Sequence, residues 1–77
     1  MDKILQILAD LRPEFDFTAG RNFIDDGYLD SFDVVALVSE LEEVFGILID
    51  GLDVLPENFF SLESIAGLVQ KSGGVLT

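Results

Sequence analysis

The sequence predicts an all-α domain of four helices, with a long loop between the first and second helices and a short third helix. Three observations point there. Apolar residues recur at helical spacing in three separate segments, each bounded by a helix start or stop signal. The one run with strand character, Ile47-Leu48-Ile49, has no second run to pair with, and a lone short strand cannot build a sheet. Finally, 77 residues of which 49% are hydrophobic, without a cysteine, lie near the lower limit for a core that needs no disulfide. One compact domain spanning 1–77 is expected, with little room for an enclosed catalytic cavity.

The first helix carries Ile4, Leu5, Ile7, Leu8 and Leu11 on one side and Lys3, Gln6 and Asp10 on the other, and ends before Pro13. A connection from Arg12 to Leu29 follows, with turn signals at Thr18, Ala19, Gly20, Asn22 and Asp25-Asp26-Gly27. So long a connection in a small domain must pack or function. Phe15, Phe17, Phe23 and Ile24 suggest that it packs over the end of the helices.

The second helix runs from Ser31 to Phe45, capped by Asp30 or Ser31, with Asp33 against the positive end of its dipole and Gly46 just past its end. A 100° wheel places Val34, Leu37, Val38, Leu41, Val44 and Phe45 on one face. Asp33, Ser39, Glu40, Glu42 and Glu43 take the other face. Ile47 to Ile49 read as a buried loop segment. Pro56 to Phe60 read as one or two helical turns opened by proline, the short third helix. Ser61 then caps a last helix from Leu62 to Lys71, with Leu62, Ile65, Ala66, Leu68 and Val69 inward. Gly73-Gly74 stop it, and residues 72–77 are expected to form a flexible tail.

Four basic residues against fifteen acidic ones give a net charge of −11. The cations are Lys3, Arg12, Arg21 and Lys71, so the stretch from Asn22 to Gln70 holds acids and no base. Nucleic acids and anionic membranes need Lys and Arg clusters, so the charge argues against both as partners. Basic proteins are the natural complement. No run approaches the ~20 apolar residues of a membrane span. The N-terminus lacks the basic start and apolar run of a secretory signal. A cytoplasmic monomer without membrane insertion is expected.

Hydrolytic chemistry is disfavoured by the residue inventory. Ser31 is a candidate nucleophile, yet the chain has no histidine, and Leu29-Asp30-Ser31-Phe32-Asp33 is no Gly-x-Ser-x-Gly elbow. Without His or Cys, only hard oxygen ligands remain for a cation. Matching Gly27 to the glycine of an EF-hand loop puts Ile24 at a ligand position and Asp33 where a bidentate Glu belongs, which leaves a poor site. What remains is a pattern around Ser31. Phe32 and Val35 fall on the polar side of the second helix, beside the small Ala36 and ringed by Asp33, Glu40 and Glu43. An apolar centre with a charged rim is the composition of a docking surface. For Phe32 a second reading stays open, in which it folds back onto the long loop.

The run Asp26-Gly27-Tyr28-Leu29-Asp30-Ser31-Phe32-Asp33-Val34-Val35 resembles the phosphopantetheine attachment motif of acyl carrier proteins and of peptidyl or aminoacyl carrier domains. The likeness continues through Leu37, Leu41-Glu42-Glu43 and Phe45, and again from Pro56 to Leu62 and at Ile65. The resemblance implies an acyl-carrier-like four-helix bundle that is not an enzyme. It implies that Ser31, with Asp30 beside it, is the attachment site for 4′-phosphopantetheine, transferred from coenzyme A by a Mg²⁺-dependent phosphopantetheinyl transferase. Acyl or aminoacyl cargo would ride as a thioester, loaded by a ligase and passed to downstream acyl-transfer enzymes with basic docking surfaces. Phe32, Asp33, Val35, Ala36, Glu40 and Glu43 would be the docking residues. Leu37, Leu41, Leu55, Phe59, Ile65 and Leu68 would line any space that shelters cargo.

The usual fatty-acid carrier has Asp-Ser-Leu, three residues from glycine to serine, and an acid where this chain has Ala36. Here the motif is Asp-Ser-Phe and Gly27 precedes Ser31 by four positions. In both respects the chain looks closer to D-alanyl and other aminoacyl carriers, or to specialised stand-alone carriers. The competing reading from the residues alone is a non-catalytic acidic adaptor or divalent-cation-binding module in which Ser31 only caps a helix.

Overall fold

The computed structural model describes residues 2–18 and 22–75. Ala19, Gly20 and Arg21, two turn signals and a cation, lie outside the described residues, as do Met1 and positions 76 and 77 of the expected tail. The described residues form three α-helices and no strand: α1 (Asp2–Leu11), α2 (Ser31–Phe45) and α3 (Leu62–Lys71).

Helix α1 stops where Pro13 would have to donate. The Arg12 N–H still reaches the Leu8 carbonyl at 2.9 Å, and no further helical bond follows. Helix α2 is closed at both ends by its own sequence. Asp30, not Ser31, is the N-cap; its carboxylate accepts the Asp33 N–H while the Asp33 carboxylate accepts the Asp30 N–H. At the other end Gly46 takes the left-handed conformation, φ 65°, that glycine adopts without strain, and donates to the Glu42 carbonyl. The Glu42 carboxylate also accepts the Ile49 N–H at 2.9 Å. This acid of the expected polar face is therefore a structural brace. Helix α3 opens on a second capping box, Ser61 with Ser64.

The expected short helix is one 3₁₀ turn, Pro56–Asn58, preceded by an unanticipated 3₁₀ turn, Gly51–Asp53. Ties to the rest of the fold limit both. The Asn58 amide donates to the Asp53 carbonyl at 2.7 Å, Phe59 is fully buried, and the Phe60 carbonyl accepts the Phe23 N–H at 2.8 Å. Such anchors hold the chain in place but leave no length for a regular helix.

Helices α1 and α2 run antiparallel: Lys3 lies over the Phe45 ring at one end, and Arg12 binds Asp33 at the other. Ile4, Leu8, Leu37, Leu41, Phe59, Ile65 and Val69 are sealed from solvent in one core cluster. The long loop packs as expected. Phe17 and Phe23 are buried, edge to face with centroids 5.0 Å apart, and Phe15 stacks on Tyr28 at 4.5 Å. Two expectations are corrected. Val44, at the margin of the α2 stripe in its last turn, is 42% exposed. Leu48 projects into solvent between buried Ile47 and Ile49, because the segment is extended and alternates its faces. Gly73-Gly74 end α3 as its expected stop: the Gly74 N–H bonds the Val69 carbonyl at 2.8 Å, and a Cβ on Gly74 would lie 2.4 Å from the Val69 side chain.

Candidate functional site

Ser31 is the first helical residue of α2 and is exposed. It owes that position to the turn before it. Gly27 adopts φ 76°, and the Phe23 carbonyl accepts both the Tyr28 and Leu29 N–H groups at 2.8 and 2.9 Å. Leu29, almost fully buried, anchors the chain just before the serine. Asp30 Oδ1 then accepts the Asp33 N–H at 2.9 Å and starts the helix. Among the described residues, neither the Ser31 nor the Phe32 N–H has an acceptor. An exposed hydroxyl thus stands at a helix N-terminus, where the dipole and free donors favour an added anion.

A surface groove of about 370 Å³ opens beside the hydroxyl. Its walls are mostly apolar: Ile24, Leu29, Val34 and Val35 on one side of the site, and Val54, Leu55 and Pro56 from the 3₁₀ segment on the other. Of the six residues expected to line a cargo space, only Leu55 borders this groove. Leu37, Leu41, Phe59 and Ile65 are wholly buried, and Leu68 nearly so.

The expected docking residues divide into groups. Phe32 is 84% exposed and Val35 67%, so Phe32 does not fold back onto the loop. Both stand out beside Ser31, with Ala36 half-buried and Glu43 exposed further along. Glu40, also exposed, turns toward α1 and borders a shallow depression with Ile7, Asp10 and Leu11. Asp33 is occupied within the fold. Its Oδ2 accepts from Arg12 Nε at 2.9 Å and from the Asp30 N–H at 3.1 Å, and lies 2.8 Å from Arg12 Nη2. Burial alone would push this carboxyl up. The hydrogen bonds from Arg12 and Asp30, with the charge of Arg12, outweigh that and hold its pKa below the ordinary carboxylate value.

Sequence reasoning did not find the role of Arg12. It pairs with Asp33, with Glu14 at 3.1 Å and, more distantly, with Asp30 at 3.5 Å. A lone cation at the end of α1, next to a field of acids, was the available signal. Nothing local indicates a partner 21 positions away. The groove walls Val54, Leu55 and Pro56 were equally hidden, since the pairing of that segment with Ser31 is tertiary.

A family model, the phosphopantetheine attachment site, matches residues 2–71, nearly the whole chain. No curated protein and no solved structure matches.

Proposed function

The chain belongs to the phosphopantetheine attachment site family, whose non-catalytic domains carry 4′-phosphopantetheine, and we propose that it is a single carrier domain armed at Ser31. Domains of this family work with a phosphopantetheinyl transferase and with partner enzymes. The observation that carries the assignment to Ser31 is its placement: an exposed hydroxyl at the first helical position of α2, beside an apolar groove and among unpaired backbone donors.

In the attachment step Ser31 Oγ forms a bond to a phosphorus of coenzyme A as the bond to adenosine 3′,5′-bisphosphate breaks. The serine proton passes to a base of the transferase. The resulting phosphodiester anion fits the positive end of α2. The residues present suit the rest of the arm as well, since Val34, Val35, Val54 and Leu55 offer an apolar wall next to the attachment atom. Once attached, the arm supplies the thiol on which cargo is held as a thioester. The chain's own part is to present that thiol while Phe32 and Val35, rimmed by Glu43, meet successive basic partners in the cytoplasm.

The cargo is acyl or aminoacyl. The Asp30-Ser31-Phe32 motif and the spacing from Gly27 favour an aminoacyl or specialised stand-alone carrier. The dense packing of Leu37, Leu41, Phe59 and Ile65 favours small cargo lying in the open groove over a chain drawn between helices. A direct test incubates the protein with coenzyme A, Mg²⁺ and a broad-specificity transferase, and weighs the product by mass spectrometry. Addition of the arm, absent in Ser31→Ala, is expected; no addition with several transferases would refute the assignment.

A further inference from the structure

The guanidinium of Arg12 lies against the first turn that presents Ser31. We propose that Arg12 is a positioning residue for attachment at Ser31, holding the first turn of α2 in register with the end of α1 through Asp33. This rests on Ser31 being the attachment point.

Two nitrogens of Arg12 converge on one oxygen of Asp33, Nε at 2.9 Å and Nη2 at 2.8 Å. The same oxygen accepts the Asp30 N–H, and the Asp30 carboxylate accepts the Asp33 N–H. Arg12 therefore grips one half of the capping box that sets the backbone on either side of Ser31. It does so from the end of α1, because its own N–H is still bonded to the Leu8 carbonyl. One guanidinium thus ties together the two ends of the long loop, which holds no helix among its described residues. The remaining described cations are engaged elsewhere, Lys3 over Phe45 and Lys71 with Asp53 at 2.9 Å. No substitute cation stands at this end of α2 among the described residues. Asp33 is only 14% exposed, so the grip is shielded, while the Asp30 side chain, its Oδ2 3.5 Å from Arg12 Nη2, is 57% exposed.

Charge alone makes the opposite prediction from position. A basic transferase is attracted to an acidic carrier, so removing a cation strengthens encounter and lowers KM. Loosening the serine's frame instead lowers kcat, and small misplacements of a reacting atom reduce rates by about ten- to a hundredfold. The two effects separate in one experiment.

Transferase kinetics on the full chain would compare wild type, Arg12→Gln, Arg12→Lys and the control Lys3→Gln, each assayed well below its melting temperature. Arg12→Gln should lose about tenfold or more in kcat with KM unchanged or lower. Arg12→Lys should fall between, since an ammonium cannot place two nitrogens on Asp33 as the guanidinium does. Lys3→Gln should keep the wild-type kcat. Amide hydrogen exchange at Asp33 and Val34 should quicken in Arg12→Gln. If that variant does not fold, Asp33→Asn, which keeps the cation and weakens the grip, should show the same loss of kcat. A wild-type kcat in Arg12→Gln, or full rescue by lysine, would overturn the proposal while leaving Ser31 as the attachment point. A wild-type chain that takes no arm would overturn both.

Discussion

Replacing Asp30 separates what the helix needs from what a partner reads. In Asp30→Ala the Asp33 N–H loses its acceptor at 2.9 Å, and an N-cap of this kind is worth about 1 kcal/mol, within a range of about 0.5–2. The charge adds little, because the Asp30 side chain is 57% exposed and 3.5 Å from Arg12 Nη2. Loss of a negative charge from a chain of net −11 also relieves some repulsion. The net cost is therefore about 1 kcal/mol. For a domain of this length, that lowers the melting temperature by about 4–8 °C.

Asp30→Asn keeps a capping oxygen and should melt within about 2 °C of wild type, since asparagine caps as well as aspartate. Thermal melting followed at 222 nm measures both. If alanine melts with wild type, the capping box does not hold the start of α2, and the account of how Ser31 is presented fails. If asparagine melts as low as alanine, the carboxylate charge rather than the cap is the source of stability. The asparagine variant, being folded, then reports in a transferase assay on recognition alone.

Phe32→Ala and Val35→Ala remove side chains that the fold does not use, so stability should change by less than about 0.5 kcal/mol. Turnover with a cognate partner enzyme should fall, and an unchanged rate in both variants would remove this face from the docking surface. The lowered pKa of Asp33 makes its contribution to stability fully present above the unfolded carboxylate value of 3.8; it is lost as the pH falls through the lower folded value. Acid melts of Asp33→Asn should lack that component, and parallel pH profiles for the two proteins would refute it.

The bounds of α2 were legible because both ends are written locally, in Asp30 with Asp33 and in Gly46. Helix α3 was legible for the same reason, in Ser61. The segment from Pro56 was not. A proline shows where a helical turn can begin, but the length of this one is decided by Phe59 entering the core and by Phe60 receiving Phe23 from the long loop. Leu48 shows a related gap, since apolar composition cannot say which of three consecutive side chains an extended segment turns outward. At the site, the place of Ser31 at the start of α2 and the exposure of Val35 were legible from the caps and the wheel, whereas for Phe32 the wheel left two readings open. The grip of Arg12 on Asp33 and the groove wall of Val54, Leu55 and Pro56 join parts of the chain that no local pattern relates.

A carrier armed at Ser31, as proposed, must hold its attachment point still and yet let partners come and go, and α2 offers different side chains for the two demands. Leu37 and Leu41 fix the helix in the core, Glu42 braces its end, and Asp33 is bound to Arg12, so none of these is free to answer a visitor. Phe32, Val35 and Glu43 are exposed on the same helix without a role in that framework. A partner that engages them has no native contact to break. Its affinity then comes from a small apolar centre and from charges screened by salt, which suits exchange between enzymes. Glu43 carries its charge on this exposed face while Asp33 is paired with Arg12, and a basic partner surface would complement it. The absence of histidine and cysteine fits the same division, because the reactive thiol arrives with the arm and the acid–base groups with the partners.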